Sequence, residues 1–424
     1  MVSLITNLPQ EIHDGIISYL FNDQTALRAC ALVCRSFCNP SQQQLYSDIT
    51  IVTNQNISPM FRSRIRATRY LSARRFSTIL KLAPVLGTYV RRLRLYNAYV
   101  ERSSIYEAEM ENKLDIVGLS NCLFHLNYLQ HLVVDTDTST FTEVTPSRYA
   151  YHEMASRFCS VLSNPSIVSL DIQSLQHILF DLLNVMASKN RQCSPSKLQL
   201  NINQRMVKNP DFADSVGTFF RQAIDLQKLE NLVLSHSYDV MEYQDTFGDI
   251  LKTCRHCRFL TQLDIEIWGS SKSFKFLLFM THVLDKYTLT DEGPNIADLE
   301  HFTGLEKLSI IQRHRYGLPR STNTVPQLLE VLERMPPTGT NRLRALKIGV
   351  QYNRAFYDPA IHSTSWVELW QYTSRLDRFP HLDRMEMVLI GADVVCEEIF
   401  NDLEMRFSSA PHLSKIDLSI KKTW

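Results

Sequence analysis

Cys254-Arg255-His256-Cys257 has the spacing of a zinc knuckle or a thiol–disulfide pair. A knuckle needs two further ligands, and neither a second CxxC nor an HxxxH follows. A redox pair opens a helix after a strand, whereas this one ends a helical stretch and precedes LTQLDI. A structural role is expected for it. Cys30, Cys34 and Cys38 fall four apart and read as small apolar residues on a helix, not as ligands. Asp291-Glu292 and Glu397-Glu398 are adjacent carboxylates, and chain neighbours do not face each other across a substrate as a glycosidase pair must. Arg62, Arg64, Arg66, Arg69, Arg74 and Arg75 could hold phosphate. Only Phe61, Tyr70 and Phe76 lie near them for base stacking, so a solvated face or an acidic partner is expected. Trp366 and Trp370, with Tyr372 nearby, sit at helical spacing; core packing is the default and an exposed hot spot the alternative. No GxSxG, HExxH, P-loop or kinase signature occurs. No catalytic, metal or cofactor-binding residue is assigned, and the chain is expected not to be an enzyme.

The bulk properties narrow the class. The 424 residues carry 45 basic and 44 acidic side chains, a formal charge of +1, so no global field argues for nucleic acid or a membrane surface. Hydrophobic content of 44% and charged content of 21% are those of an ordinary globular protein. Nine scattered cysteines fit a reducing compartment. MVSLITNLPQ has neither a basic start nor a long apolar core, and the apolar run near Phe274 to Leu284 is too short to span a bilayer. A cytoplasmic or nuclear location is expected.

Two helices open the chain. Pro9 suits a helix start, and Glu11 places negative charge in the first turn. Leu8, Ile12, Ile16 and Leu20 then fall four apart as one apolar stripe. Asn22-Asp23 interrupts it. A second helix is expected from Gln24 to about Phe37, with Leu27, Ala31 and Cys34 on one face and Ala26, Cys30, Val33 and Phe37 on another. A helix apolar on nearly every side needs cover on two sides, and the first helix supplies only one. About 45 residues is also little to stand alone. The module is therefore expected to be completed by a partner.

The residues that carry this pattern, Leu8, Pro9, Glu11, Ile12, Ile16, Leu20, Leu27, Leu32, Val33, Cys34, Arg35, Phe37, Leu45 and Tyr46, resemble the F-box. The resemblance covers residues 1–50, and Phe37 stands where many F-boxes have Trp. It implies docking onto the Skp adaptor and cullin scaffold of an SCF-type ubiquitin ligase through Leu8, Pro9, Ile12, Ile16, Val33, Cys34 and Phe37. The rest of the chain would then select a protein substrate. A non-ligase binding scaffold is the alternative.

Residues 51–89 read as a linker and capping helix. From residue 90 to 424 an apolar-x-x-apolar-x-apolar unit recurs about ten times, roughly every 36 residues. The copies are VRRLRL, LQHLVV, IVSLDI, PSKLQL, LENLVL, LTQLDI, LEKLSI, LRALKI, LDRMEM and LSKIDL. Their fourth positions are Leu93, Leu132, Leu170, Leu198, Leu232, Leu263, Leu308, Leu346, Met385 and Ile416. Helical stretches are expected between them at 154–162, 175–186, 212–224, 274–284, 328–335, 366–376 and 394–407. Long polar spacers are expected at 135–148, 288–304, 313–325 and 351–365. This pattern is similar to the leucine-rich repeats of F-box proteins, with longer copies. The fold class expected is α/β: a small helical F-box, then a leucine-rich-repeat-like βα solenoid, a horseshoe or arc with parallel strands inside and helices outside. A doubly wound α/β domain is the runner-up, but the 12 glycines form no phosphate loop.

Side chains alternate along a strand, so the LxL residues face the core and those between them a second, exposed face. On that face Tyr96 and, further along, Asp264, Glu266, Trp268 and Arg313 combine aromatic and charged character. They are the expected substrate-binding residues.

Overall fold

The computed structural model describes residues 8–52, 70–97, 117–136, 159–172, 192–203, 224–237, 257, 259–268, 303–313, 325–333, 335, 340–352, 359–375, 377–391, 394–408 and 416–423. The chain forms two compact units, Met1–Cys193 and Ser194–Trp424.

The first unit opens with three helices, α1 (Gln10–Tyr19), α2 (Gln24–Val33) and α3 (Arg35–Ser47). The Asp23 carboxylate accepts from the Ala26 N–H at 2.9 Å and caps α2. The expected second helix, 24–37, is two helices. Cys34 is fully extended (φ −158°, ψ 167°) and turns the chain between them. Helix α3 contains Pro40, which has no N–H to give the Ser36 carbonyl one turn earlier. The Gln10 side-chain amide of α1 donates to that carbonyl at 3.2 Å. The defect in one helix is thus a tie to another. Ile17, Leu27, Phe37 and Leu45 form the core of the bundle.

No linker follows. Helix α3 ends at Ser47 and strand β1 (Asp48–Val52) begins at the next residue. The described residues of the rest of the unit include β2 (Tyr70–Ser72), α4 (Ala73–Leu82), a 3-10 turn (Pro84–Tyr89), β3 (Arg92–Asn97), β4 (His131–Thr136) and β5 (Ser169–Ile172). All pairings are parallel, in the order β2-β1-β3-β4-β5. The sheet therefore starts some forty residues before the first LxL copy. Ile49 and Ile51 stand opposite Leu93 and Leu95, all four buried. The helical stretch 117–123 packs on α4: Gly118 lies so close to the Arg74 backbone that an added Cβ would come within 2.9 Å of its nitrogen.

The second unit contains β6 (Lys197–Asn203), β7 (Asn231–Ser237), β8 (Gln262–Trp268), β9 (Lys307–Arg313), α5 (Val325–Glu333), β10 (Ala345–Gln351), α6 (Pro359–Thr373), β11 (Arg384–Ile390), α7 (Val394–Ser408) and β12 (Asp417–Thr423). The strands pair in parallel and in sequence order from β6 to β12. A parallel sheet built in one direction puts its right-handed crossovers on one face, so the described strands of this unit contain no switch point. Thr373 of α6 donates its hydroxyl to the Met385 sulfur at 3.2 Å, and Lys422 reaches Glu397 of α7 at 2.7 Å. Met385 and Lys422 belong to the helix-covered face, and the Leu–Leu rows across the strands are its core.

Two expectations change in register and boundary. Leu418, not Ile416, stands opposite Met385, so the last copy uses the Leu418-Ser419-Ile420 triplet. Helix α6 starts at Pro359, inside the stretch expected to be a 351–365 spacer, because a proline at the first position is compatible with a helix. The expected helices at 175–186 and 274–284 and most of 212–224 lie outside the described residues, as do most of the other three spacers. Among the described residues no helix is long and apolar enough to cross a membrane.

Candidate protein-interaction surfaces

The first surface is on the three-helix module. Helices α1 and α2 bury Ile17 and Leu27 against α3, and this leaves the other apolar positions outside. Leu8 is 40% exposed, Ile12 49%, Ile16 41%, Val33 66% and Leu32 87%. Tyr19 and Phe21 are exposed as well. Pro9 is exposed at the head of α1. Of the residues expected at the adaptor face, Leu8, Pro9, Ile12, Ile16 and Val33 lie on the surface and Cys34 is half-buried. Phe37 is not on it. It is 8% exposed, in the bundle core, with the His13 ring edge-on at 4.8 Å. The reason is the break at Cys34: α3 turns Phe37 inward, where an unbroken helix from 24 would have placed it beside Val33. Leu32 is the apolar position the expectation left off the face.

The second surface is the strand face opposite the helices. The alternation is as expected: Leu93/Leu95, Leu263/Ile265, Leu308/Ile310 and Leu346/Ile348 are buried, and the residues between them are half-buried. Tyr96 is on β3 of the first unit, half-buried. Asp264, Glu266, Trp268 and Arg313 are on β8 and β9 of the second. Trp268 is in register with Arg313 and Asp264 with Ser309. The Arg313 guanidinium donates to Glu266 at 2.6 Å, and Gln262 donates to Asp264 at 2.7 Å. The charged residues expected to hold a substrate are therefore partly engaged with their neighbours.

A charge cluster lies further along. Glu386 on β11 contacts Lys347 on β10 at 3.1 Å, Lys421 on β12 at 3.1 Å and Arg384, two residues before it, at 3.7 Å. Burial raises the Glu386 pKa, but hydrogen bonds from Lys421 and Lys347 and their charges outweigh it and hold the carboxyl below its ordinary value. Lys347 and Glu386 were legible from the LxL pattern. Lys421 joins them because the last strand runs to Thr423.

The remaining chemical candidates resolve simply. Trp366 is fully buried and donates its indole N–H to the Tyr352 hydroxyl at 2.7 Å, and Trp370 packs edge-on against Phe407. Cys257 is a buried free thiol, and Cys254 lies outside the described residues. Arg74 and Arg75 are exposed on α4, while Arg62, Arg64, Arg66 and Arg69 lie outside. Glu397 and Glu398 are both exposed on α7; Asp291 and Glu292 lie outside. Among the described residues no group of three or more metal-binding side chains comes together.

Polar residues in the turns before the strands were not anticipated. The Asn164 and Asn341 side-chain oxygens accept from the N–H groups of Ser166 and Leu343, two residues on. Their amides donate to carbonyls of neighbouring turns, Asn127 and Arg378. Each asparagine shapes its own turn and ties it to the next, so these are structural residues. In comparisons with known proteins, no family model matches the chain and no curated protein matches it.

Proposed function

We propose that this protein is a substrate receptor of an SCF-type cullin-RING ubiquitin ligase. Helices α1–α3 dock the Skp adaptor, and the strand face of leucine-rich-like repeats, arranged as an arc, holds a protein substrate. The observation that carries this reading is the set of exposed apolar side chains, Leu8, Ile12, Ile16, Leu32 and Val33, on a module whose own core is already filled. The F-box-like residues 8–46 supply that set. The strand face supports the second half: it is a broad surface of alternating polar and charged residues on rigid strands. Ligase chemistry would belong to other subunits, and the receptor would act by raising the local concentration of substrate lysines. Asp264, Glu266, Trp268 and Arg313 remain the proposed substrate contacts of the second unit, with Tyr96 in the first.

Co-purification with the Skp adaptor and cullin tests the reading. Replacing Leu8 and Pro9 by Ala together should weaken adaptor binding by roughly 2–4 kcal/mol. Val33→Asp should abolish it, because docking would bury an unpaired charge. Adaptor recovery unchanged in both variants would remove the assignment and leave a non-ligase scaffold.

A further inference from the structure

The pairing register lays out the face of β9–β12 opposite the helices as a grid. Lys307, Ala345, Arg384 and Asp417 form one row. Ser309, Lys347, Glu386 and Ser419 form the next, and Ile311, Gly349, Val388 and Lys421 a third. The first and second rows and Lys421 carry four cations against two carboxylates, a surplus of two. The surplus is concentrated. Lys347, Arg384 and Lys421, on three adjacent strands, share the single carboxylate of Glu386. Their side chains are 42%, 56% and 48% exposed, while that of Glu386 is 13% exposed. Glu386 is therefore the buried pin of the cluster and the cations are its outer layer. An ammonium has three donors and a guanidinium five, so each retains donors for a further acceptor.

We propose that this face binds an acidic peptide segment, whose carboxylates pair with Lys347, Arg384 and Lys421. The geometry favours spaced carboxylates over a single phosphate. The backbones that carry the cations span about 10 Å from β10 to β12, while their charged groups gather around the Glu386 carboxylate, which would repel a dianion placed among them. A segment laid across the strands meets one cation per strand. Beside the cluster, Gly349 and Val388 are buried, and an added Cβ at Gly349 would come within 3.3 Å of the Ile311 side chain. The proposal names a substrate chemistry for the receptor reading and depends on that reading only for its biological use.

The test is fluorescence anisotropy on the full chain without adaptor. The probe is a fluorescein-labelled twelve-residue peptide of alternating Glu and Ser, compared with its Gln and Lys counterparts and with a Gln peptide carrying one phosphoserine. The Glu peptide should bind, weaken as salt rises, and exceed the other three. The triple variant K347Q/R384Q/K421Q should lose about tenfold or more in affinity. Glu386→Gln should tighten binding, since it removes the competing carboxylate. Lys422→Gln, on the helix-covered face, should change nothing. If the triple variant melts early, Lys421→Gln alone, on the last strand, serves as the second variant and should weaken binding. Equal binding by wild type and the lysine variants, no binding of the Glu peptide, or tighter binding of the phosphoserine peptide would each overturn the proposal. Adaptor pull-down is scored separately: its loss with peptide binding intact removes the ligase reading and leaves this surface standing.

Discussion

At the scale of single residues, burial decides which side chains can act. The thiols separate on this basis. Cys122, Cys159, Cys193, Cys257 and Cys396 are buried, whereas Cys30, Cys34 and Cys38 of the three-helix module are half-buried. Desolvation pushes the Cys122 and Cys193 thiols up to about 12, because burial penalises the thiolate. The thiolate is the reacting species, so these two are inert as well as covered. Alkylation of the native chain near pH 8 followed by peptide mass spectrometry should label the module cysteines and spare Cys122 and Cys193 until denaturant is added. Labelling of Cys122 or Cys193 in the native chain at the rate of the module cysteines would contradict their burial. The same reasoning removes Phe37 from the docking face and Trp366 from any exposed hot spot, since both are core residues.

At the scale of elements, the three-helix module separates stability from docking. Phe37 fills the core between Ile17, Leu27 and Leu45, so Phe37→Ala should destabilise the module by about 3–5 kcal/mol. Val33 is exposed at the end of α2, and Val33→Asp should cost less than about 1 kcal/mol, mostly from an anion at a helix C-terminus. Thermal melts of the two variants check this; a larger loss in Val33→Asp than in Phe37→Ala would reverse the assignment of faces. The sequence made α1 legible, because its stripe has one period and a clear start. It hid the break at Cys34, because helical spacing continues in the letters from Leu27 through Phe37 while the backbone does not. It hid α3 for a different reason: Pro40 argues against a helix, and only Gln10, thirty residues earlier, supplies the donor that replaces the lost bond. The strands were legible wherever LxL alternation ran, since period two is unambiguous once one face is buried. Strand β2 is only three residues long and offered no alternation to read.

At the scale of the whole molecule, the sheet is older in the chain than its repeats suggest. Reading LxL copies alone puts the start of the repeat domain at residue 90. The strand order places β1 and β2 before it, with β1 hydrogen-bonded between β2 and β3. The first unit therefore includes the three-helix module without a joint: Ser47 of α3 accepts from the Arg91 N–H at 2.9 Å, and the Tyr89 hydroxyl donates to Asn39. A fragment beginning near residue 84 would strip β3 of β1 and remove Phe76 and Leu80 of α4, both fully buried. Leu93 and Leu95 would lose the facing Ile49 and Ile51, and β3 would become a bare edge. A fragment of residues 194–424 is the whole second compact unit, β6–β12 with α5–α7. The expected outcome is a cooperative thermal transition for 194–424, and for 84–424 an additional early, low-cooperativity phase with dye binding to exposed apolar surface. Calorimetry with a fluorescence probe separates the two. An 84–424 fragment that melts in the same manner as the full chain, with no early phase, would show that β1 and α4 are dispensable and that the repeats begin where LxL does.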